Sequence, residues 1–579
     1  MTSGDAAAAG PGTHRLPRFV FDQFLTGAVS SAGIAFLRKG QYSLRRLKLR
    51  VLADAAAELA HRLGPFADVD AAWRVLAEVE RSDAAVVEDV LLYPSVGVWL
   101  SRALRHVLGG IEDPTPMWSE VGGFHALAAA AAVRGGVPCE LAVPVVHGSV
   151  ALPSVGLFRL STGFPVGHAR LRNTATETVV TAFGSTSPAR FEPVKRYSEH
   201  RRGHRVRVVF DDLDPYRGFG GPKAADPLDD NEYDQWRKLM GEAWDLLTAH
   251  HSRWAEELSA TLATVIPLSA EHDVFAASSS AAFGGIAMSP KRSATEFAEA
   301  LVHEVQHSKV NALLDLVDLH HGDETPRYYA PWRDDPRPVV GMLHGIYAFI
   351  SVVEFWNAQR GSAPPALARR AHYAFGLRAH QVGQAVRTLL AVEGLTGLGR
   401  EFVTAVADRL AACGPVELPG ELAATVEAIT TEHRGRWRVR HVRPEPAVVA
   451  ELADAWLSAG SAFPVVGPDH VVLAPSSGGS RLGELLKRRA MGTDRLDFGD
   501  GPDSALARGD RRGAVEGYAA LIRAAPHEEA AWVGLGLALG STALRRTPEV
   551  VRAVHLAATR SGAAPDPVEL AAWFDRTAS

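Results

Sequence analysis

The stretch ALVHEVQHSK, residues 300–309, puts His303 and His307 four positions apart, with Glu304 directly after the first. Residues four apart share one face of an α-helix. Around them, Phe297, Leu301, Val302, Val305, Val310, Leu313, Leu314 and Val317 fall mostly at helical spacing. Upstream, the run SATE, Ser293 to Glu296, has the form of a capping box. The spacing therefore predicts a buried helix over about 294–318 with two imidazoles on one face. Such a pair reads either as hydrogen-bonded core histidines or as two ligands of one divalent metal ion. The second reading is preferred, because polar groups inside an apolar helix are costly unless something satisfies them.

Working outward, residues 1–15 are small and polar and are expected to be disordered. Residues 16–136 read as a helical N-terminal region: YSLRRLKLRVLADAAAELAHRL (42–63) and AAVVEDVLLYPSVGVWLSRALRHVL (84–108) space their apolar residues three and four apart. Residues 137–215 read as β-rich. CELAVPVVHGSVALPSVGLFRL (139–160), ETVVTAFG (177–184) and RVRVVFDDL (205–213) alternate and are rich in valine. The arginine-rich run KRYSEHRRGHRVRV (195–208) is either a surface for an acidic peptide or a solvated strand and turn. Residues 216–440 form the region around the HExxH motif. It is expected to be helical over 232–267 and to hold a short strand pair in DVFAASSSAAFGGIAMSP (273–290). After the motif helix come a loop held irregular by Pro336 and Pro338, an apolar helix VVGMLHGIYAFISVVEFWNAQRG (339–361), and further helices. Residues 441–579 read as helical. There Gly509, Ala514, Tyr518, Pro526, Trp532 and Gly536 fall at the spacing of about one and a half tetratricopeptide-like repeats. The fold class is α+β, predominantly helical.

The charge balance, Lys+Arg 61 against Asp+Glu 66, gives net −5 and no general electrostatic grip on nucleic acid. No run of about 18 apolar residues is apparent, so no membrane span is expected. The N-terminus lacks the pattern of a signal peptide. Cys139 and Cys413 stand far apart, which argues against a disulfide framework and for a reducing, cytoplasmic setting.

A catalytic metal needs a third protein ligand and an open position. The extended pattern with Gly and His further along the helix fails, because Val310 and Leu313 stand at those places. The next helix offers His344 and, as an alternative, Glu354. His320 and His321 lie past the helix end, where histidine suits the helix dipole. Between the two helices, YYAPWRDDPRP (328–338) supplies Arg333 and Arg337 beside Tyr328, Tyr329 and Trp332. A guanidinium fork binds carboxylates, so these arginines either clamp a diacid such as 2-oxoglutarate or pair with Asp334 and Asp335.

Three successive segments carry a resemblance: HEVQHSKVNALLDL (303–316), YYAPWRDDPRP (328–338) and LHGIYAFISVVEFW (343–356), with FGGIAMSP (283–290) just before them. Together they resemble the bacterial HExxH-motif proteins encoded with ribosomally made, modified peptides. That family includes iron- and 2-oxoglutarate-dependent peptide β-hydroxylases. The resemblance implies a zincin-like metal-binding helix pair next to a small mixed sheet, re-used for iron. It implies Fe(II) on His303, His307 and His344, with Glu354 as the alternative third ligand. The co-substrate 2-oxoglutarate would be held by Arg337, Arg333 and Tyr329, with Glu304 beside the reacting centre. The implied activity is that of a dioxygenase, an oxidoreductase that hydroxylates a β-carbon of a precursor peptide. That peptide would reach the site by pairing with an exposed strand such as 283–289. Two alternatives stay open. In a zinc metallopeptidase Glu304 would take the proton of metal-bound water. A non-catalytic partner would hold a peptide through the C-terminal repeat.

Overall fold

Helical spacing dominates the chain, and 60% of the structure is helix, with most of the strands between residues 139 and 288, an α+β fold. The computed structural model describes residues 15–111, 115–161, 165–174, 176–182, 187–269, 276–362, 365–463, 469–475, 478–492 and 499–576. The expected disordered stretch at 1–15 lies, but for Arg15, outside them. The chain divides into two compact units, Met1–Val317 and Asp318–Ser579. This boundary cuts the expected 216–440 region just after the motif helix, because each half buries its apolar surface against its own neighbours.

The first unit opens with α1 (Arg18–Thr26), α2 (Ser31–Glu58), α3 (Val69–Ser82), α4 (Ala84–Leu91), α5 (Pro94–Val107), α6 (Met117–Val121) and α7 (Gly123–Gly135). The strands follow: β1 (Cys139–Val146), β2 (Ser149–Leu152), β3 (Gly156–Arg159), β4 (Val166–Asn173), β5 (Thr178–Ala182), β6 (Arg190–Pro193), β7 (Lys195–Arg201) and β8 (His204–Phe210). Then come α8 (Asp230–His250), α9 (Ser252–Thr261), β9 (Thr264–Pro267), β10 (Ala276–Ala277), β11 (Gly285–Met288) and α10 (Ala294–Leu314). One sheet runs β5-β4-β1-β2-β3-β6 and is antiparallel throughout. Helix α7 packs on it through Ala128 to Ala132, all fully buried, whose methyl side chains permit a close approach to β1.

The second sheet runs β10-β11-β9-β8-β7, with β8, β9 and β11 parallel. Two expectations change here. Residues 264–267, read as the end of a helical stretch, form β9, since Val265 and Ile266 are buried between two parallel neighbours. The stretch expected to accept a peptide, 283–289, supplies β11. It is an inner strand with all four residues buried, and β10 takes the edge. The arginine-rich run becomes the β7–β8 hairpin. Arg202 (φ 46°) and Gly203 (φ 82°) make its two-residue turn, and Arg201, Arg205 and Arg207 stay exposed. It is a solvated strand and turn.

Gly97, on α5, lets the loop before β11 come close. A Cβ there would stand 1.9 Å from the Ala281 carbonyl oxygen and 2.7 Å from Arg45 Nη2. Arg45 itself is buried and donates to the Leu91, Tyr93 and Ala281 carbonyls, so the neighbours cannot yield. Gly97→Ala is therefore expected to lower unfolding free energy by about 1–3 kcal/mol through overpacking. Urea denaturation checks it, and an unchanged midpoint would contradict this account.

The second unit contains α11 (Val339–Ser362), α12 (Pro365–Leu390), α13 (Gly397–Ala412), α14 (Gly420–His441), β12 (Val442–Arg443), α15 (Pro446–Leu457), β13 (His470–Val471) and α16 (Arg481–Ala490). It closes with α17 (Pro502–Arg508), α18 (Arg511–Ala524), α19 (Glu529–Leu539), α20 (Thr542–Arg546), α21 (Pro548–Arg560) and α22 (Pro567–Asp575). Helix α11 is long and apolar enough to cross a membrane, against the expectation that no such stretch exists. Its valines, isoleucines and aromatics outweigh the interspersed His344, Ser351 and Glu354. Of its most apolar window, 72% is buried within the protein, where α12 and α13 pack on it. Helix α14 lies against α12, α16, α19, α20 and α21. Its buried Arg438 binds Glu549 and Asp469, tying α21 and the segment before β13 to this central helix. Helices α18 and α19 pack closely because Gly534 has no side chain where the Tyr518 ring lies.

Candidate metal centre

Helix α10 begins at the expected cap. Ser293 Oγ accepts from the Glu296 amide at 3.3 Å, and Glu296 Oε2 accepts from the Arg292 amide at 3.0 Å. From Phe297 to Leu313 the apolar positions are buried, whereas His303 and His307 are only half-buried. Their Nε2 atoms stand 3.2 Å apart, with ring planes at 79°. Two imidazole nitrogens each about 2.05 Å from one ion lie about 2.9 Å apart at a right angle and about 3.3 Å apart at a tetrahedral angle. The pair therefore has the separation of two neighbouring positions in one coordination sphere.

Glu304 lies about 100° round the helix from His303 and is buried, with 4% exposed. Its Oε2 accepts from Ser278 Oγ at 2.7 Å, in the loop after β10. Burial raises its pKa to about 7, against the Ser278 hydrogen bond and the nearby Lys291 charge. The motif glutamate is thus held under the β10–β11 loop.

The face of α10 away from the histidines carries a polar network that sequence reading missed. Lys309 is fully buried and donates to Glu257 Oε2 and Gln306 Oε1, both at 2.8 Å. Glu257, on α9, also accepts from the Val29 amide at 3.0 Å. One buried ion pair thus ties α9 and the α1–α2 connection to the back of the motif helix. A lysine in the middle of an apolar helix was the available signal, since a buried ammonium needs an acidic partner.

In the second unit, His344 is half-buried on α11. Burial and the neighbouring Arg337 lower its pKa to about 4, so the ring is neutral near pH 7, the form that binds metals. Gly341, one turn earlier, leaves room for Arg337: a Cβ there would meet the guanidinium Nε at 2.9 Å. Gly345 likewise accommodates Trp332, whose ring a Cβ would meet at 2.1 Å. The two glycines thus draw the loop back along α11 and bring Arg337 next to His344. Both loop arginines reach Asp335, Arg333 at 2.7 Å and Arg337 at 3.3 Å. Asp334 turns instead to Arg436 at 3.0 Å.

Two other candidates are engaged elsewhere. Glu354, the alternative third ligand, receives two 2.8 Å hydrogen bonds from Arg409, one to each oxygen. Tyr329, expected at the co-substrate, has its hydroxyl 2.8 Å from His433 Nδ1, and burial raises its pKa strongly. His433 was not singled out in the sequence, because its pairing spans 104 residues.

Among the described residues, no group of three or more His, Cys, Asp or Glu side chains stands close enough together to hold a metal ion. The His303–His307 pair by itself fits two ligand positions. No family model matches the chain, and no curated protein matches it.

Proposed function

We propose that this protein is an Fe(II)- and 2-oxoglutarate-dependent hydroxylase of a ribosomally made peptide, acting on a β-carbon. The observation that carries the reading is the His303–His307 pair, with nitrogens 3.2 Å apart on the one half-exposed stripe of a buried helix. His303 and His307 would hold the iron, and His344 is the proposed third donor. When bound, iron and 2-oxoglutarate would supply the oxidation: the keto acid becomes succinate and carbon dioxide, and one dioxygen atom enters the peptide C–H bond. The chain's own residues would bind and orient. Arg337 is the preferred clamp for the far carboxylate of 2-oxoglutarate, since it lies beside His344 and has one contact to Asp335, at 3.3 Å. Arg333 is second, being tied to Asp335 more closely. A zincin-like helix arrangement and a tetratricopeptide-like α18–α19 pair, the latter as a surface for the precursor, belong to the same proposal.

Zinc peptidase chemistry is the alternative. There Glu304 would take a proton from metal-bound water, and a buried carboxyl with its pKa raised to about 7 suits that role as well. The test is anaerobic reconstitution with Fe(II), then addition of 2-oxoglutarate, oxygen and peptides encoded beside the gene. The expected products are succinate and a peptide heavier by one oxygen. Glu304→Gln is expected to keep more than a tenth of that turnover. Cleaved peptide without succinate, abolished by Glu304→Gln, would make the protein a peptidase. Peptide capture with no stoichiometric metal would make it a binding partner.

A further inference from the structure

A pocket of ≈ 760 Å³, partly open to solvent, lies in the first unit among α5, α6, α7, the β1–β3 strands and the loop after β8. It shares no lining residue with α10. Val96, Trp99, Ala126, Leu157 and Leu213 form an apolar part of its wall. Its buried polar side chains include Ser95, Ser119, Ser149 and Asp214. Ser119, on α6, is 3% exposed, and its hydroxyl makes no hydrogen bond among the described residues. Asp214, 7% exposed, shares its surroundings with buried Asp211.

Turn formation accounts for part of this acidic loop. Asp211 accepts from the Asp214 amide and from the Tyr93 hydroxyl, and Asp214 Oδ1 accepts from the Tyr216 amide. It does not account for a buried, unpartnered serine hydroxyl on the wall of the same cavity. The charge is answered only in part, by Ser95 and by the nearby Arg217, which act against the rise in the Asp214 pKa. Arg217 Nη1 and Nη2 donate to the Asp214 and Ala224 carbonyls, and Lys195 is held by Asp212. Burial and the Asp211 charge raise the Asp214 pKa to about 7, so a cationic ligand beside it would favour the ionised form. At the rim the sign reverses. Lys223 and His147 are exposed there, and Arg159 is half-buried against Glu192. The occupant's outer end is therefore not cationic.

We propose that this pocket binds a small molecule with an apolar body and one protonated amine. The amine would donate to Asp214 and to the Ser119 hydroxyl, while the hydrocarbon fills the space against Trp99 and Leu157. An apolar wall carrying a few polar anchors is the usual lining of a small-molecule site.

The probes are 2-phenylethylamine, 2-phenylethanol and phenylacetate, titrated by calorimetry into metal-free full-length protein, so the result is independent of the His303–His307 reading. The amine is expected to bind at least tenfold tighter than the alcohol, and phenylacetate not at all. Asp214→Asn is expected to weaken the amine at least tenfold. Ala151→Leu, which narrows the apolar wall and leaves the charges alone, is expected to weaken it similarly. Melting temperatures verify that both variants fold, and the wild-type selectivity series stands if either does not. Phenylacetate binding as tightly as the amine, equal amine affinity in folded Asp214→Asn, or no binding of the amine at millimolar concentration overturns the proposal.

Discussion

Replacing His307 by alanine is expected to strip the protein of a reconstituted divalent ion while leaving its fold intact. The pair's two nitrogens converge at 3.2 Å, and removal of one leaves a single imidazole on α10 to hold the metal. Loss of an outer hydrogen-bond partner of a metal ligand costs about 10–100-fold in affinity, so loss of a direct ligand should exceed about 100-fold. His303→Ala should do the same. Because both rings are half-buried, truncation opens little cavity, and thermal stability of the metal-free protein should change little. Metal content after dialysis against a weak chelator, with the metal-free melting temperature alongside, checks both halves. Stoichiometric iron or zinc in the double variant would end the metal reading. The two rings would then be a hydrogen-bonded pair, the other reading that 3.2 Å permits.

Lys309→Met is expected to be among the most destabilising single changes in the first unit. Lys309 and Glu257 are 0% and 1% exposed at their side chains and meet at 2.8 Å. Removing one member of a buried pair strands the other charge, at a cost of about 3–5 kcal/mol. Glu257 also holds the Val29 amide, so the loss would spread to the α1–α2 connection. The double variant Lys309→Met with Glu257→Gln should recover a large part of the loss, because no uncompensated charge remains and the glutamine can still accept from Val29. Chemical denaturation of the single and double variants tests this. A double variant no more stable than Lys309→Met would show that the ammonium acts through packing, including its position 5.7 Å from the Phe24 ring centroid, and not through its charge. Since Lys309 lies two residues beyond His307 and about 200° round the helix, metal binding should survive in any folded double variant.

Where the sequence was legible, a short-range rule was at work. The Ser293 cap, the apolar spacing to Leu314 and the placing of both imidazoles on one face depend on residues within a few positions of each other. The β7–β8 hairpin was legible for the same reason, since Arg202-Gly203 permits a tight turn between alternating strands. The strand β9 was not. A four-residue apolar segment after a helix has no period of its own, and it became a strand only because β8 and β11 lie on either side.

The candidate site divides along the same line. The sequence by itself determined the HExxH helix, the direction of its histidines and the apolar character of α11, because helical geometry is set by local spacing. Only the tertiary structure decided which polar groups were already satisfied. It put Glu354 in the grip of Arg409, Tyr329 on His433, both loop arginines on Asp335, and Lys309 on Glu257. It also put β11 inside the sheet, between β9 and the short edge strand β10. The physical reason is that a charged or hydrogen-bonding side chain takes whichever partner folding brings within about 3 Å. That partner can stand 50 or 100 residues away, where no local pattern records it.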